Sequence, residues 1–308
     1  MTQDFVISAV DTVTPPGPGL SGWFDQRAEL GRGYRHLPPS AQYLLAAVKR
    51  ALGQEGIGDA LLTVPEERRA VSVGTNHAVA GVHAEIDQAT VAGEARLLSP
   101  TAVPYFSPNL IASRIAMEHA LKGFSLAVHT PRTAGLEALQ AGLRALRSGR
   151  ADWLLAGATE AVPPESDKAA VTVRGAAEEG ALALVIEPAP TVRARGREAL
   201  GRVEVRSVFI PPGGADVPQD VRAPLGVLFE GLSYGAGARV RLTSDGSPVA
   251  RAVEAALGAP TEPAGAGSLR PLQAVAEAVL QPTAPQIVVT ATAAGNVSAA
   301  LVTPSTPQ

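Results

Sequence analysis

No cysteine occurs among the 308 residues. Disulfides, cysteine-ligated metals and a thiolate nucleophile are therefore excluded together. Histidine is nearly as restricted: His36, His77, His83, His119 and His129 are the five, and none follows His129. Aromatic residues make up only 4%, so the core must be assembled from Ala, Val and Leu packed at close range. Charge of either sign is nearly balanced, with 29 acidic against 26 basic residues and a net charge of −3. That gives no electrostatic footprint for nucleic acid or an anionic membrane. No apolar run approaches the ~20 residues of a membrane helix. Met1-Thr2-Gln3-Asp4-Phe5 has neither the basic nor the apolar region of a signal peptide, so a cytoplasmic location is expected.

What is present is 46% hydrophobic residues with abundant Gly (31) and Pro (26), enough for a well-buried core. Uninterrupted apolar runs predict buried strands at Phe5–Val10, Ala70–Gly74, Ser125–His129, Trp153–Ala156 and Ala181–Ile186. Helical spacing predicts helices at Ser40–Gly53, His83–Val91, Pro108–Leu121 and Ala134–Ser148. In the last of these, Leu136, Leu139, Leu143 and Leu146 form one stripe ahead of a Gly149 stop. After Glu187 the texture becomes richer in Gly and Pro. A strand at Val203–Ile210, helices at Val249–Leu257 and Leu269–Leu280, and strands at Ile287–Thr290 and Ala299–Val302 complete the reading. Strands alternating with helices predict an α/β protein with sheet covered on both faces.

Four stretches, in order, resemble β-ketoacyl synthases of the thiolase superfamily. Pro104-Tyr105-Phe106-Ser107-Pro108-Asn109 leads into a helix and Lys122-Gly123, as in the segment before the family's nucleophile strand. Ala127-Val128-His129-Thr130-Pro131-Arg132-Thr133-Ala134-Gly135-Leu136 is similar to the strand-turn-helix that in the family reads Val-Asp-Thr-Ala-Cys-Ser-Ser-Gly-Leu. Ser148-Gly149-Arg150-Ala151-Asp152 with Leu154–Glu160 resembles the family's next strand, which ends in Leu-Ala-Gly-Gly-x-Glu. Glu178–Glu187 resembles a strand that reads Gly-Glu-Gly-Ala-Gly-Ala-Leu-Val-Leu-Glu. Gly265–Leu269 and Ala294–Val302 are similar to a loop-helix and a closing segment late in the family. The resemblance implies a thiolase-like layered fold of two similar halves, 1–190 and an abbreviated 191–308, in one compact unit.

The family's condensation uses a thiolate at the strand-to-helix turn and two histidines later in the chain. The resemblance assigns the thiolate's position to Arg132, whose guanidinium stays protonated and is no nucleophile. A cation at a helix N-terminus opposes the dipole, so Arg132 is expected either to pair with a carboxylate or to swing into solvent. The histidines would fall in a Gly-Thr-x-Thr loop and a Lys-x-x-x-Gly-His loop; Glu262–Gly267 is the one remnant of the second, without imidazole. No catalytic residue is expected. Thr133 with His129 is the weak substitute, although Thr133 reads as a cap of the following helix and His129 as a surface or interface residue.

The implied role is a non-condensing subunit that pairs with a catalytic ketosynthase and shapes its acyl tunnel, as a chain-length factor does in polyketide, polyene or fatty-acid-type biosynthesis. A heterodimer is expected, a homodimer is the other arrangement, and acyl carrier protein is a further partner. Tyr105, Phe106, Asn109, Val128 and His129 are the expected tunnel or interface residues. Two alternatives stay open: a scaffold that docks carrier protein, and an acyltransferase or hydrolase using Thr133. No cofactor or metal is expected. His77 and His83 are spaced too loosely for a helical pair, Glu66–Arg69 and Arg193–Arg197 read as solvated, Glu178-Glu179 as structural, and Gly231–Gly237 as no nucleotide loop.

Overall fold

Phe5–Val10, the first apolar run, lies inside a longer strand, β1 (Phe5–Val13), because alternate residues on both faces are covered. A computed structural model describes residues 4–17, 20, 22–94, 96, 98, 100, 103–164, 176–232, 237–281 and 284–305. The helices and strands after β1 are α1 (Gln26–Leu30), α2 (Pro39–Leu52), α3 (Ile57–Thr63), β2 (Arg69–Thr75), α4 (Ala80–Val91), α5 (Asn109–Glu118), β3 (Ser125–His129), α6 (Ala134–Arg147), β4 (Trp153–Glu160) and β5 (Gly180–Pro188). They continue with α7 (Ala189–Ala194), β6 (Gly201–Phe209), α8 (Pro218–Glu230), β7 (Arg239–Ser244), α9 (Pro248–Leu257), β8 (Thr261–Pro263), α10 (Leu269–Leu280), β9 (Gln286–Ala291) and β10 (Asn296–Pro304).

The strands run β3-β2-β4-β5-β1-β6-β10-β9-β7-β8. Numbered within each half, both sections have the same order, third-second-fourth-fifth-first. The pairing senses match as well: β1–β5 and β4–β5 are antiparallel while β2–β4 and β2–β3 are parallel. In the second section β6–β10 and β9–β10 are antiparallel while β7–β9 and β7–β8 are parallel. The sections meet through a single pair, Ile7 with Gly201. The fold is thus two similar halves, and the second repeats the topology in 104 residues (201–304) against 184 (5–188).

Side-chain alternation sorts the layers. Leu154, Ala156 and Ala158 of β4 and Leu182, Leu184 and Ile186 of β5 face α6 and α10, which share one core cluster. Trp153, Leu155, Ala181, Ala183 and Val185 face the other way, onto α2 and α5. The second section is covered on its outer side by α8 and α9. Sheet is therefore covered on both faces, with α6 and α10 as the central layer. The α6 stripe is buried throughout, from 0% exposure at Leu136 and Leu139 to 3% at Leu143.

Close approach depends on two glycines. A Cβ at Gly74 would stand 2.3 Å from the Ala134 carbonyl carbon, and one at Gly135 2.6 Å from the Ser268 carbonyl oxygen. These contacts clamp the first turn of α6 between β2 and the start of α10.

Elements beyond the predicted set are α1, α3, α7, α8, β7 and β8. Two segments read as solvated are so in part, with Glu67 and Arg193 exposed, but each contains an arginine tied into the fold. Arg195, beyond α7, makes a bidentate pair with the buried Glu187 at 2.8 and 2.7 Å. Arg69 is buried in β2 and donates to the Val64 carbonyl, while Arg68 grips Asp152 at 2.9 and 2.7 Å. The stretch at 231–237 lies partly outside the described residues, at 233–236. No helix among the described residues is long and apolar enough to cross a membrane.

Candidate functional site

The site is built around the turn between β3 and α6. Arg132 has φ +63°, a left-handed conformation that costs a non-glycine residue roughly 1–2 kcal/mol. The turn is held locally by Thr133 N–H donating to Pro131 O at 2.7 Å and Ala134 N–H donating to Thr130 O at 3.3 Å. The Arg132 side chain, 7% exposed, turns inward. Its Nη1 lies 3.3 Å from Oδ2 of Asp245, itself 4% exposed, and its Nε donates to Gly265 O at 3.0 Å. Of the two expected conformations the paired one is present. Asp245 follows β7 and also accepts from Ser247 N–H and Ala293 N–H, both at 3.0 Å. A buried cation at the positive end of α6 is thus met by a buried, hydrogen-bonded anion.

Beside this pair lies the 264–268 loop, gripped from several elements. Asn76 Nδ2 donates to Ala266 O at 3.1 Å, and Ala266 N–H donates to Ala176 O at 2.9 Å. Glu160, at the end of β4 and fully buried, accepts from Ser268 N–H (2.8 Å), Ser268 Oγ (2.6 Å), Asn76 N–H (2.8 Å) and His77 N–H (2.7 Å). Burial raises its carboxyl above the ordinary range, and these hydrogen bonds oppose the rise. Glu178 accepts from Leu269 N–H at 2.7 Å and Arg270 N–H at 3.2 Å, meeting two of the open donors of α10. Burial, reinforced by the Glu160 charge, pushes the Glu178 carboxyl up to about 7. Glu179 turns away and accepts from Tyr43 Oη at 2.6 Å.

The other candidates are dispersed. Thr133 stands at the N-cap position of α6, but its side chain makes no capping bond; its Oγ1 leans 3.5 Å toward Pro131 O. The capping expectation is therefore corrected: the residue's own φ of −96° and ψ of −13° are helical rather than extended, which points the hydroxyl away from the open N–H groups. His129 is exposed at the end of β3 and Thr133 is fully buried, so they do not form a nucleophile–base pair. Val128 is half-buried on β3, paired with Gly74 of β2. Tyr105 lines a cavity of about 280 Å³ with Leu37, Pro39, Val82, Ala161 and Val162. Phe106 is 55% exposed and packs on the His83 ring at 4.5 Å. Asn109 is exposed at the first turn of α5. No group of three or more metal-binding side chains occurs among the described residues.

Sequence reasoning missed Asp245. The signal was an acid placed directly after a strand of alternating pattern, Arg239–Ser244, and before a Ser-capped helix; a search directed at histidine passes over it.

Residues 27–178 match the family described as beta-ketoacyl synthase, N-terminal domain. The chain is ketosynthase-like, with a thiolase-type fold. The fold extends over the whole ketosynthase-like chain. The ishigamide ketosynthase/chain length factor structure aligns with a TM-score of 0.78 at 20% identity, covering 98% of this chain and 100% of that one. A type II polyketide synthase acyl-carrier protein in complex with its ketosynthase aligns with a TM-score of 0.75 at 15% identity, over 99% and 100%.

Sequence similarity is confined to part of the chain. The chloroplastic 3-oxoacyl-[acyl-carrier-protein] synthase I of Arabidopsis thaliana is 30% identical over 132 residues, 42% of this chain and 28% of that protein. The tetracenomycin polyketide synthase ketoacyl synthase alpha subunit of Streptomyces glaucescens is 31% identical over 128 residues, 40% and 30%. The matched segment spans less than a third of either curated relative.

Proposed function

We propose that this chain is a non-condensing ketosynthase-like subunit that pairs with a catalytic ketosynthase and shapes its acyl tunnel, in the manner of a chain-length factor. The observation that carries the reading is Arg132. It occupies the strand-to-helix turn, buried and ion-paired with Asp245, where the condensation requires a free thiolate. With no cysteine in the sequence, acyl transfer to a thiol has no group to perform it, and with no histidine after His129 the two late histidines of the resembled family have no counterpart. Thr133 is a poor replacement, being fully buried while His129 is exposed.

Pairing is favoured by the β3 side of the molecule. β3 ends the strand order, and an edge strand with free backbone groups is a template for another strand. The apolar residues Val91 (89%), Phe106 (55%) and Met117 (70%) are exposed on α4, the turn before α5, and α5 itself. In the proposed heterodimer β3 runs beside its counterpart, and Tyr105 and Phe106 border the partner's tunnel. In the same reading Asn109, Val128 and His129 contribute to that interface. Acyl carrier protein docks on the assembled pair.

The test is co-expression with a ketosynthase that retains its cysteine and both histidines. Light scattering is expected to report a one-to-one heterodimer, and Phe106→Ala, at an exposed site, is expected to lengthen the product. A chain that stays monomeric beside its partner, with product length indifferent to Phe106→Ala, overturns the proposal. Covalent acyl labelling of the intact chain by an acyl-thioester would favour the Thr133 alternative instead.

A further inference from the structure

Glu178 is an acid that the resemblance does not explain: the family's strand begins Gly-Glu-Gly-Ala, whereas here it begins Glu178-Glu179-Gly180-Ala181. Its side chain lies directly over Gly265, where an added Cβ would come within 1.9 Å of Oε1 and 2.5 Å of Cδ. At Gly267 a Cβ would stand 2.6 Å from Glu160 Cγ and 2.9 Å from Glu178 Oε2. The two carboxylates therefore press on one loop from adjacent positions, with no spare volume between. Glu178 Oε1 is buried and has no hydrogen-bond partner among the described residues.

The charged and titratable groups facing this pair come from four elements. Glu160 arrives from β4 and His77 from the segment after β2, the latter lowering the Glu160 carboxyl. Arg270 arrives from α10, where its side chain is exposed and acts weakly. Arg132 reaches the loop through Gly265 O while its Nη1 pairs with Asp245.

We propose that Glu178 is a proton-controlled latch: protonated, it holds the 264–268 loop against Arg132, and deprotonated, its repulsion with Glu160 loosens that loop. Ala266 N–H bonds to Ala176 O, Ser268 N–H to Glu160 and Leu269 N–H to Glu178, so movement of the loop and the start of α10 away from the two carboxylates breaks all three. Loosening also removes Gly265 O from Arg132 Nε, so the ion pair at the turn feels the proton indirectly. The direction follows from linkage. A carboxyl whose closed-state affinity for protons is raised, from an ordinary 4.5 to about 7, favours closure fully below pH 4.5 and loses that contribution as pH rises to about 7. The latch stands apart from the proposed pairing with a second ketosynthase and can fail without it.

The test is hydrogen exchange of the full-length protein, read by mass spectrometry on peptides covering 264–272 and corrected for the intrinsic pH dependence of exchange. Protection of these amides is expected to fall about tenfold between pH 6 and pH 8 and then level off. Peptides of the β5 core serve as the control and stay unchanged. Glu178→Gln, which keeps an oxygen for Leu269 and Arg270 N–H, is expected to abolish the fall. Protection that is flat with pH in the native protein, or a fall in Glu178→Gln with the native midpoint, overturns the latch. Should Glu178→Gln not fold, Arg270→Ala is an exposed change that keeps the backbone donor. Its midpoint is expected at the native pH or slightly above it, since the Arg270 charge weakly lowers the Glu178 carboxyl, and a midpoint moved to lower pH, or no fall at all, counts against the proposal.

Discussion

Removing Asp245 leaves the Arg132 guanidinium in a place from which it cannot easily escape. The two side chains are 7% and 4% exposed, and Gly74 and Gly135 pin the first turn of α6 against β2 and α10. Breaking a buried ion pair from one side costs about 3–5 kcal/mol, because the surviving charge stays desolvated. Asp245→Ala also strips an acceptor from Ser247 N–H and Ala293 N–H, so the upper part of that range is expected. At about 2 °C per kcal/mol for a chain of this size, the thermal midpoint should drop by roughly 8–10 °C. The decisive assay is a double-mutant cycle with Arg132→Gln and Asp245→Asn, followed by calorimetry or circular dichroism. Replacing both charges removes the unpaired ion, so the double variant should recover at least about 2 kcal/mol relative to the sum of the singles. Additive effects, or an Asp245→Ala protein within about 1 kcal/mol of the native one, would refute the claim that this pair fills the turn.

Two further substitutions probe the loop and the carboxylates. Gly265→Ala forces a methyl group against Glu178 Oε1 and should cost about 1–3 kcal/mol in urea unfolding, whereas Gly81→Ala in α4, with open space around its Cβ, should be neutral or gain about 0.5–1 kcal/mol. Glu178→Gln should flatten the stability profile: the native carboxyl, raised to about 7, withdraws its contribution between pH 4.5 and 7. The variant should then exceed the native protein at pH 8 by up to roughly 3 kcal/mol relative to their difference at pH 4.5, and parallel urea profiles at the two pH values would contradict it.

Much of the first half was legible in the chain itself. The α6 stripe, the apolar runs of β4 and β5 and the ordered motifs around Arg132 depend on neighbours close in sequence, and periodicity reports such neighbours directly. The second half was read less completely. α8 carries Val221, Leu225 and Leu228 at helical spacing, but Pro224 inside it interrupts the helical signal. β7 is a short strand of alternating Arg, Val and Leu that its pairing with β9 and β8 stabilises. The repeated strand order of the two halves left no repeated sequence, because β-pairing constrains burial rather than identity. The site was the least legible part. Arg132 and Gly265 are 133 positions apart, and no local pattern announces which carboxylate a buried arginine will find.

Arg132 holds a left-handed backbone although its own side chain has no nucleophilic group to present there. If the chemistry of a nucleophile were the cause of that conformation, an arginine there would let the turn relax, and a non-glycine residue gains roughly 1–2 kcal/mol by doing so. The surrounding packing supplies a different cause. α6 is buried over ten of its fourteen residues, and its first turn is locked where Gly74 meets Ala134 and Gly135 meets Ser268. β3 is fixed independently by its register with β2, from Val71–Ser125 to Thr75–His129. With both flanking elements held, Thr130 to Thr133 has to span a set distance and change direction, and one residue takes the left-handed bend. A side chain in that position projects toward the loops after β7 and before α10, whatever its chemistry. A long cation placed there meets Asp245 and Gly265 O, and those bonds offset the backbone cost that the fold imposes. The shape of the turn is thus a property of the central helix layer rather than of the side chain that occupies it.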